Sequence, residues 1–503
     1  MEKGKINRRK FLGTAATTAA GLSIVPSSVI AGTGHIPPSD QITVANIGCG
    51  TQGLRELGGL LTDPRVRLVA VCDPNLHTND YIDWSAHGIR DGIRRVLGDD
   101  SWWAGVKGIP GGREVMQAYV EAYYAKNKPS GQYRGCAAYE DFRDLLAQEQ
   151  DLDVVKIMTP DHLHATIALA AMSRGVNVVT HKPIANRISE ARLTIDKARD
   201  SGLVTHLLAW TERPEYDLIK QWIDDGVIGQ LKEIHNWSYR PVWQQWTQRP
   251  ADRPPIPAGF NWDLWLGPVP HMPYHPNYTH NVFRGWYDFG GGSIADMGHY
   301  SLFPLFEALG ITRPPVQAKA YGTTTREAED NVYHWVDNDV AFPQSCMVRL
   351  KFPAQESLPA FDLYWYDGGM KPFAPEELEA DDRDIPNEGI LFVGDKGKIL
   401  GGFRGEKPEI IPQARMQAYD GPKTLSSEPD RDASAWIEHV RQGTPSPGSF
   451  VRAACVTEAI NLAAVALRAK KRIDYDPAGM RITNDEAANA FLTRTYRKGW
   501  ELS

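Results

Sequence analysis

The first part of the chain alternates short continuous apolar runs with segments of helical spacing. Gln41–Ile47 and Arg67–Cys72 are β-branched or apolar runs of strand length, separated by a helical spacing that begins at Leu54. The alternation resumes with helical patterns over Val115–Ala125 and Tyr139–Glu149, then apolar runs at 153–158 and Val176–Thr180. Strands buried on both faces and separated by helices predict a doubly wound parallel sheet. Residues 76–113 break the rhythm with Trp102, Trp103 and a Gly/Pro-rich stretch, and read as a surface insertion. Beyond Arg187 the pattern changes. After helices over 189–200 and Tyr216–Gly226, mostly alternating strands follow at Leu231–Tyr239, Gln317–Thr323, Val340–Phe342, Cys346–Phe352, Ala360–Tyr366, Gly389–Gly394 and Lys398–Gly401. The expected architecture is an N-terminal α/β Rossmann domain (41–186) and a C-terminal α+β domain (187–503). The second domain would carry an open, mainly antiparallel sheet, with a helix at Arg452–Ala469 packing back on the first domain.

The junctions between these elements carry the chemistry. The first strand runs into Gly48-Cys49-Gly50-Thr51-Gln52-Gly53 and then a helix, which is G-x-G-x-x-G in its meaningful context. Gly48 permits the tight turn, Gly50 lets the backbone approach a pyrophosphate, and Gly53 lets helix and strand pack closely. The second strand ends in Asp73, a carboxylate suited to the free ribose hydroxyls of NAD and unfavourable to the 2′-phosphate of NADP. The later strands end at Thr159-Pro160-Asp161-His162-Leu163-His164 and at His181-Lys182-Pro183, so Thr159, Pro160, His164, His181 and Lys182 fall at the same crevice. Further on, Gly290–Gly292 opens a helix on which Asp296 shares a face with His299 and Tyr300.

The glycine loop, the T-P-x-x-x-H and x-K-P segments, Trp262–Pro268 and Gly290-Gly-Gly292-x-x-x-Asp296-Met-Gly298 together resemble the glucose–fructose oxidoreductase / inositol dehydrogenase / MocA (Gfo/Idh/MocA) family over nearly the whole mature chain. The resemblance implies that Lys182 contacts a substrate hydroxyl and shares its proton, that Asp296 orients the acid/base group or the sugar, and that His164 lies near the nicotinamide. It departs from the family pattern twice. His181 stands where a glutamate is usual, and the position four residues after Asp296 is Tyr300, with His299 at the third. Either ring is a candidate acid/base.

The stretch from Tyr239 to Trp286 is dense in aromatics, and Trp265, Tyr278 and Trp286 with Arg284 suit a sugar-binding wall; a loop packed by its own aromatics is the equal alternative. Residues 1–31 begin with Lys3, Lys5, Arg8, Arg9 and Lys10 and continue uncharged and mildly apolar from Phe11. This resembles a twin-arginine export signal followed by a linker (32–40), too weakly apolar to span a membrane. Loss of its five basic residues and one acidic residue would take the net charge from −7 to −11, so nucleic acid is not an expected partner. Five cysteines in 503 residues make no disulfide framework, and no Cys/His/acid spacing suggests a metal.

The expected function is therefore an exported, periplasmic NAD-dependent oxidoreductase acting on a secondary hydroxyl of a sugar or glycoside. Its cofactor would be tightly held, since free NAD is scarce outside the cytoplasm. A redox-neutral glycoside hydrolase working by oxidation, elimination, hydration and re-reduction is the second reading, and a non-catalytic sugar or dinucleotide binder the third. A homo-oligomer, dimer or tetramer, is expected.

Overall fold

The computed structural model describes residues 40–127, 135–356, 358–425 and 434–502. Residues 1–39, which carry the expected export signal and nearly all of the linker, lie outside the described residues. From Ile42 onward the chain clusters as one unit.

Six parallel strands form the first sheet: β1 Ile42–Ile47, β2 Val66–Cys72, β3 Ala137–Tyr139, β4 Val154–Ile157, β5 Asn177–Thr180 and β6 Thr205–Leu207, in the order 3-2-1-4-5-6. Every position of β1 and β4 is buried, as a sheet covered on both faces requires. The order reverses between β1 and β4, which opens a crevice at their carboxyl ends. Two edge strands of three residues escape the sequence pattern. Ala137–Tyr139 ends where a helix was expected to begin, and Thr205–Leu207 extends the parallel sheet past residue 186.

The segment 76–113 is more than a surface insertion. Its helix Gly88–Leu97 buries Ile89, Ile93 and Leu97 against the helix Thr51–Thr62, and Trp102 joins the same core. The following helix, Arg113–Asn127, buries Val115, Met116, Tyr119 and Val120 on the neighbouring face.

The second sheet is built from β7 Leu231–Trp237, β8 Gln317–Gly322, β11 Cys346–Phe352, β12 Phe361–Tyr366, β13 Gly389–Gly394, β14 Lys398–Gly401, β15 Glu409–Ile411, β16 Ile473–Asp476 and β17 Arg481–Ile482. All neighbours are antiparallel except β7 and β12, so the sheet is mainly antiparallel, as expected. Strands β11 and β12 alternate buried with partly exposed residues, the mark of one covered face. The helix Ala454–Ala469 covers β8 and β11 on that face and also packs on the helix Ile188–Ser201, and Asn461 Nδ2 donates to the Ala185 carbonyl ahead of that helix. The expected strand at Val340–Phe342 is reduced to one bridge, Ala341 to Trp286. Two further strands, β9 Thr325–Glu329 and β10 Val332–Val336, pair only with each other as an exposed hairpin. All five cysteines are buried and unpaired. Among the described residues no helix is long and apolar enough to cross a membrane.

Candidate active site

A cavity of about 300 Å³ occupies the crevice between β1 and β4. Gly48, Gly50, Thr51, Gln52 and Asp73 line it at one end, and His181, Lys182, Arg284, Asp296 and Tyr300 at the other; Thr159, Pro160 and Trp265 also line it. Gly48 holds φ at +101°, and a Cβ there would lie 2.5 Å from the Met158 carbonyl carbon and oxygen. A Cβ on Gly53 would lie 2.5 Å from the Gly48 carbonyl oxygen, so Gly53 shapes the loop from behind without lining the cavity. The helix opening at Thr51 has Gly50 as its N-cap, with no side chain on its amides and no acid in its first turn. That leaves an N-terminus free to receive an anion. The residues fit a dinucleotide: the amides at Thr51 and Gln52 would hold its pyrophosphate, and Asp73 its ribose. Gly48→Ala should therefore lower NADH affinity more than tenfold, measured by fluorescence titration, because both φ and rigid backbone resist the added methyl.

Asp73 is anchored by two amides, Cys49 N at 2.6 Å and Asn75 N at 2.8 Å, while burial pushes its carboxyl above the usual range. Tyr81, from the segment 76–113, lies against Gly50 and packs at a tilt on His280, 4.1 Å between ring centroids. Arg55 pairs with Asp83 beside it, and His280 Nε2 sits 3.1 Å from Asp80. The segment thus roofs the dinucleotide end and ties it to the second domain's loops.

At the other end Lys182 Nζ donates to Asp296 Oδ1 at 2.6 Å. Arg284 Nε approaches the same oxygen at 3.2 Å, and Arg240 Nε lies 3.9 Å from Oδ2. Burial opposes the Asp296 charge, but Lys182 and the two guanidinium groups outweigh it and hold this carboxyl well below the usual range. Tyr300 Oη lies 3.1 Å from His181 Nε2, and burial raises the phenol's pKa. Burial, with Lys182 beside it, pushes the His181 imidazole well below its ordinary value, so the ring is neutral where it meets the phenol. Behind it stands Glu56, 3.7 Å from His181 Nε2 and 2.7 Å from Lys156 Nζ. Burial opposes the Glu56 charge, but the Lys156 ammonium prevails and brings its pKa down to about 2.

The wider i→i+5 turn over Ile294–Gly298 separates the two acid/base candidates. It brings Tyr300 to the cavity with Asp296, whereas His299 does not line it. His299 is fully buried, its Nδ1 is 3.3 Å from the Ala295 carbonyl, and burial lowers its pKa to about 3. His164 also stays out of the cavity; its ring spans the Pro183 and Thr159 carbonyls at 2.6 and 2.8 Å and so braces the two strand-end loops. Tyr278 and Trp286 belong to a self-packed aromatic cluster, with Trp286 Nε1 donating to the Asn277 carbonyl, and do not line the cavity. Of the expected sugar wall, only Arg284 and Trp265 reach it. Sequence reasoning missed Arg240, Tyr81 and Glu56. Glu56 had a signal, since Lys156 in the middle of a buried strand requires a carboxylate partner.

The fold and cavity define a dinucleotide-binding Rossmann domain joined to a sheet-bearing domain that supplies the other half of the site. The chain belongs to the Gfo/Idh/MocA oxidoreductase family: the family's NAD-binding Rossmann fold matches residues 113–208, and its C-terminal alpha/beta domain matches residues 216–361 and 364–502. It is 34% identical over 108 residues to levoglucosan dehydrogenase of Pseudarthrobacter phenanthrenivorans, covering 20% of this chain and 27% of that protein. It is 26% identical over 208 residues to a glycosyl hydrolase family 109 protein of Shewanella pealeana, covering 39% and 37%. The match therefore spans well under half the length of either relative. A WlbA dehydrogenase from Chromobacterium violaceum, solved with NADH and UDP-GlcNAcA, aligns with 88% of this chain and 99% of its own at a TM-score of 0.50 and 16% identity, a likeness of fold.

Proposed function

We propose that this chain is an exported NAD-dependent oxidoreductase acting on a secondary hydroxyl of a sugar or glycoside. The observation that carries the reading is the Lys182–Asp296 pair at 2.6 Å in the same cavity as the glycine loop. Nicotinamide, when bound, supplies the hydride acceptor. Lys182 Nζ, held by Asp296, hydrogen-bonds the oxygen of the reacting hydroxyl and steadies its negative charge, and the hydroxyl proton passes to Tyr300 Oη as that phenol hands its own to neutral His181 while the carbonyl forms. Tyr300, a protonated phenol backed by neutral His181, is thus the group able to move a proton at that carbon. Export rests on Arg8-Arg9-Lys10-Phe11-Leu12, and a mature N-terminus near residue 32 in the periplasmic fraction is the expected result. The reading includes a tightly held cofactor and a homo-oligomer, to be tested by cofactor retention on gel filtration and by light scattering.

The Tyr300–His181 pair also favours a second reading, a redox-neutral glycosidase, because elimination at C2 after oxidation at C3 needs a proton carrier besides Lys182. The family 109 relative points the same way. Absorbance at 340 nm with added NAD and a panel of sugars and glycosides tests both. A rise with one sugar, limited to the amount of cofactor held, is the expected result; a sustained rise would show that the cofactor exchanges, and a flat trace with released aglycone would replace the dehydrogenase by the hydrolase.

A further inference from the structure

The substrate end of the cavity holds more positive charge than oxidation of a neutral hydroxyl uses. Lys182, Arg284 and Arg240 converge on Asp296 at 2.6, 3.2 and 3.9 Å. Lys182 has a role, and Arg284 also donates to Asn281 Oδ1 at 2.8 Å. Arg240 differs: its Nε and Nη1 are buried without a hydrogen-bond partner, and 3.9 Å to Asp296 is beyond hydrogen-bond reach. The rings of Trp84 and Tyr239 lie 4.4 and 5.1 Å from its guanidinium carbon. They stabilise the cation but satisfy none of its N–H groups. Trp243 Nε1, another donor of this wall, is likewise buried and unpartnered.

Buried donors left unmade are costly, so their natural acceptor is a ligand. Charge decides which. The neighbouring pairs Arg55–Asp83 and Lys156–Glu56 are self-neutralising. Asp161 accepts from Gly291 N in the same wall, and burial raises its carboxyl toward the neutral form. Counting Asp161 as fully charged, the three cations still exceed Asp296 and Asp161 by one. A sugar hydroxyl would satisfy the N–H groups and leave that charge, a phosphate dianion would overshoot it, and a carboxylate answers both.

We propose that the substrate bears a carboxylate, as a hexuronic acid or its glycoside does, received by Arg240 and Trp243 Nε1 while Lys182 and Asp296 hold the hydroxyl to be oxidised. This rests on the oxidoreductase reading above. The test is equilibrium binding of methyl β-D-glucuronide, methyl β-D-glucoside and its 6-sulfate to the NADH-loaded protein, followed by tryptophan fluorescence. The glucuronide should bind at least tenfold more tightly than the glucoside. Arg240→Gln should weaken it about ten- to hundredfold while changing glucoside and NADH affinity less than threefold, and Arg240→Lys should recover part of the loss. Equal binding of acid and alcohol, a preference for the sulfate, no saturable signal from any of the three, or loss of NADH affinity in Arg240→Gln each overturns the proposal. A glucuronide preference without absorbance change at 340 nm would overturn the oxidoreductase reading and leave the carboxylate site standing.

Discussion

Replacing Lys182 by methionine should lower turnover by about 10²–10⁴-fold while leaving NADH affinity within threefold of the parent protein. The side chain keeps its length and burial, so packing around residue 182 changes little. Asp296 loses its 2.6 Å partner, yet Arg284 and Arg240 remain at 3.2 and 3.9 Å. The buried carboxylate therefore stays compensated, and the severe cost of an isolated buried charge does not arise. Folding and catalysis are thus separable at this position. Turnover is read at 340 nm with the best sugar of the panel, and cofactor affinity by fluorescence titration. Turnover within tenfold of the parent would remove Lys182 from the chemistry. An unchanged sugar-binding response in both proteins, with no turnover in either, would instead favour the non-catalytic binder.

The parallel sheet was legible because its strands are buried on both faces and therefore read as unbroken apolar runs, and because each glycine of the loop answers a steric demand. Gly48 is the clearest case, with its left-handed φ and a neighbouring backbone 2.5 Å from any Cβ. Elements set by tertiary context were not legible. Thr205–Leu207 is three residues long, too short for any period to declare itself, and is a strand because β5 offers it an edge. The segment 76–113 reads as a surface insertion through Trp102, Trp103 and its Gly and Pro content, but the apolar spacing Ile89, Ile93, Leu97 inside it builds a buried helix face.

The site divides along the same line. Residues at strand ends (Thr159, His181, Lys182) reach the cavity because topology places strand ends there. On the helix after Gly292, helical spacing admits both His299 and Tyr300, and only the wide turn over Ile294–Gly298 selects the tyrosine. The aromatics between Tyr239 and Trp286 could not be sorted from sequence, since a ring that stacks on a sugar and one that stacks on its neighbour have the same composition. Here Tyr278 and Trp286 meet edge to face, with centroids 4.8 Å apart, inside their own aromatic cluster.

Acid should destabilise the fold well before its carboxylates titrate. His162, His206 and His299 are buried, and burial lowers each pKa to about 3. In the unfolded chain each titrates near ~6.5. Between those values the unfolded state holds protons that the folded state refuses, so stability falls as pH falls through ~6.5. For three such groups the loss between pH 6.5 and 5.5 is about 3 kcal/mol, a large part of an ordinary folding free energy. The lowered pKa values of His164 and His181 add to it. Asp296, whose depressed pKa works in the opposite sense, contributes stability at neutral pH that is lost only below about pH 4. The thermal midpoint of the cofactor-free protein should therefore fall steeply from pH 7 to 5.5, and a flat midpoint over that range would show that these rings titrate normally. The effect bears on function through His162, whose Nε2 is 2.8 Å from the Trp265 carbonyl and whose amide is 3.1 Å from the Phe289 carbonyl. Protonation there would load a charge onto the joint between the end of β4 and the loop carrying Trp265. In the folded protein His162 stays neutral over this range, so NADH affinity should hold down to the pH at which the chain itself unfolds.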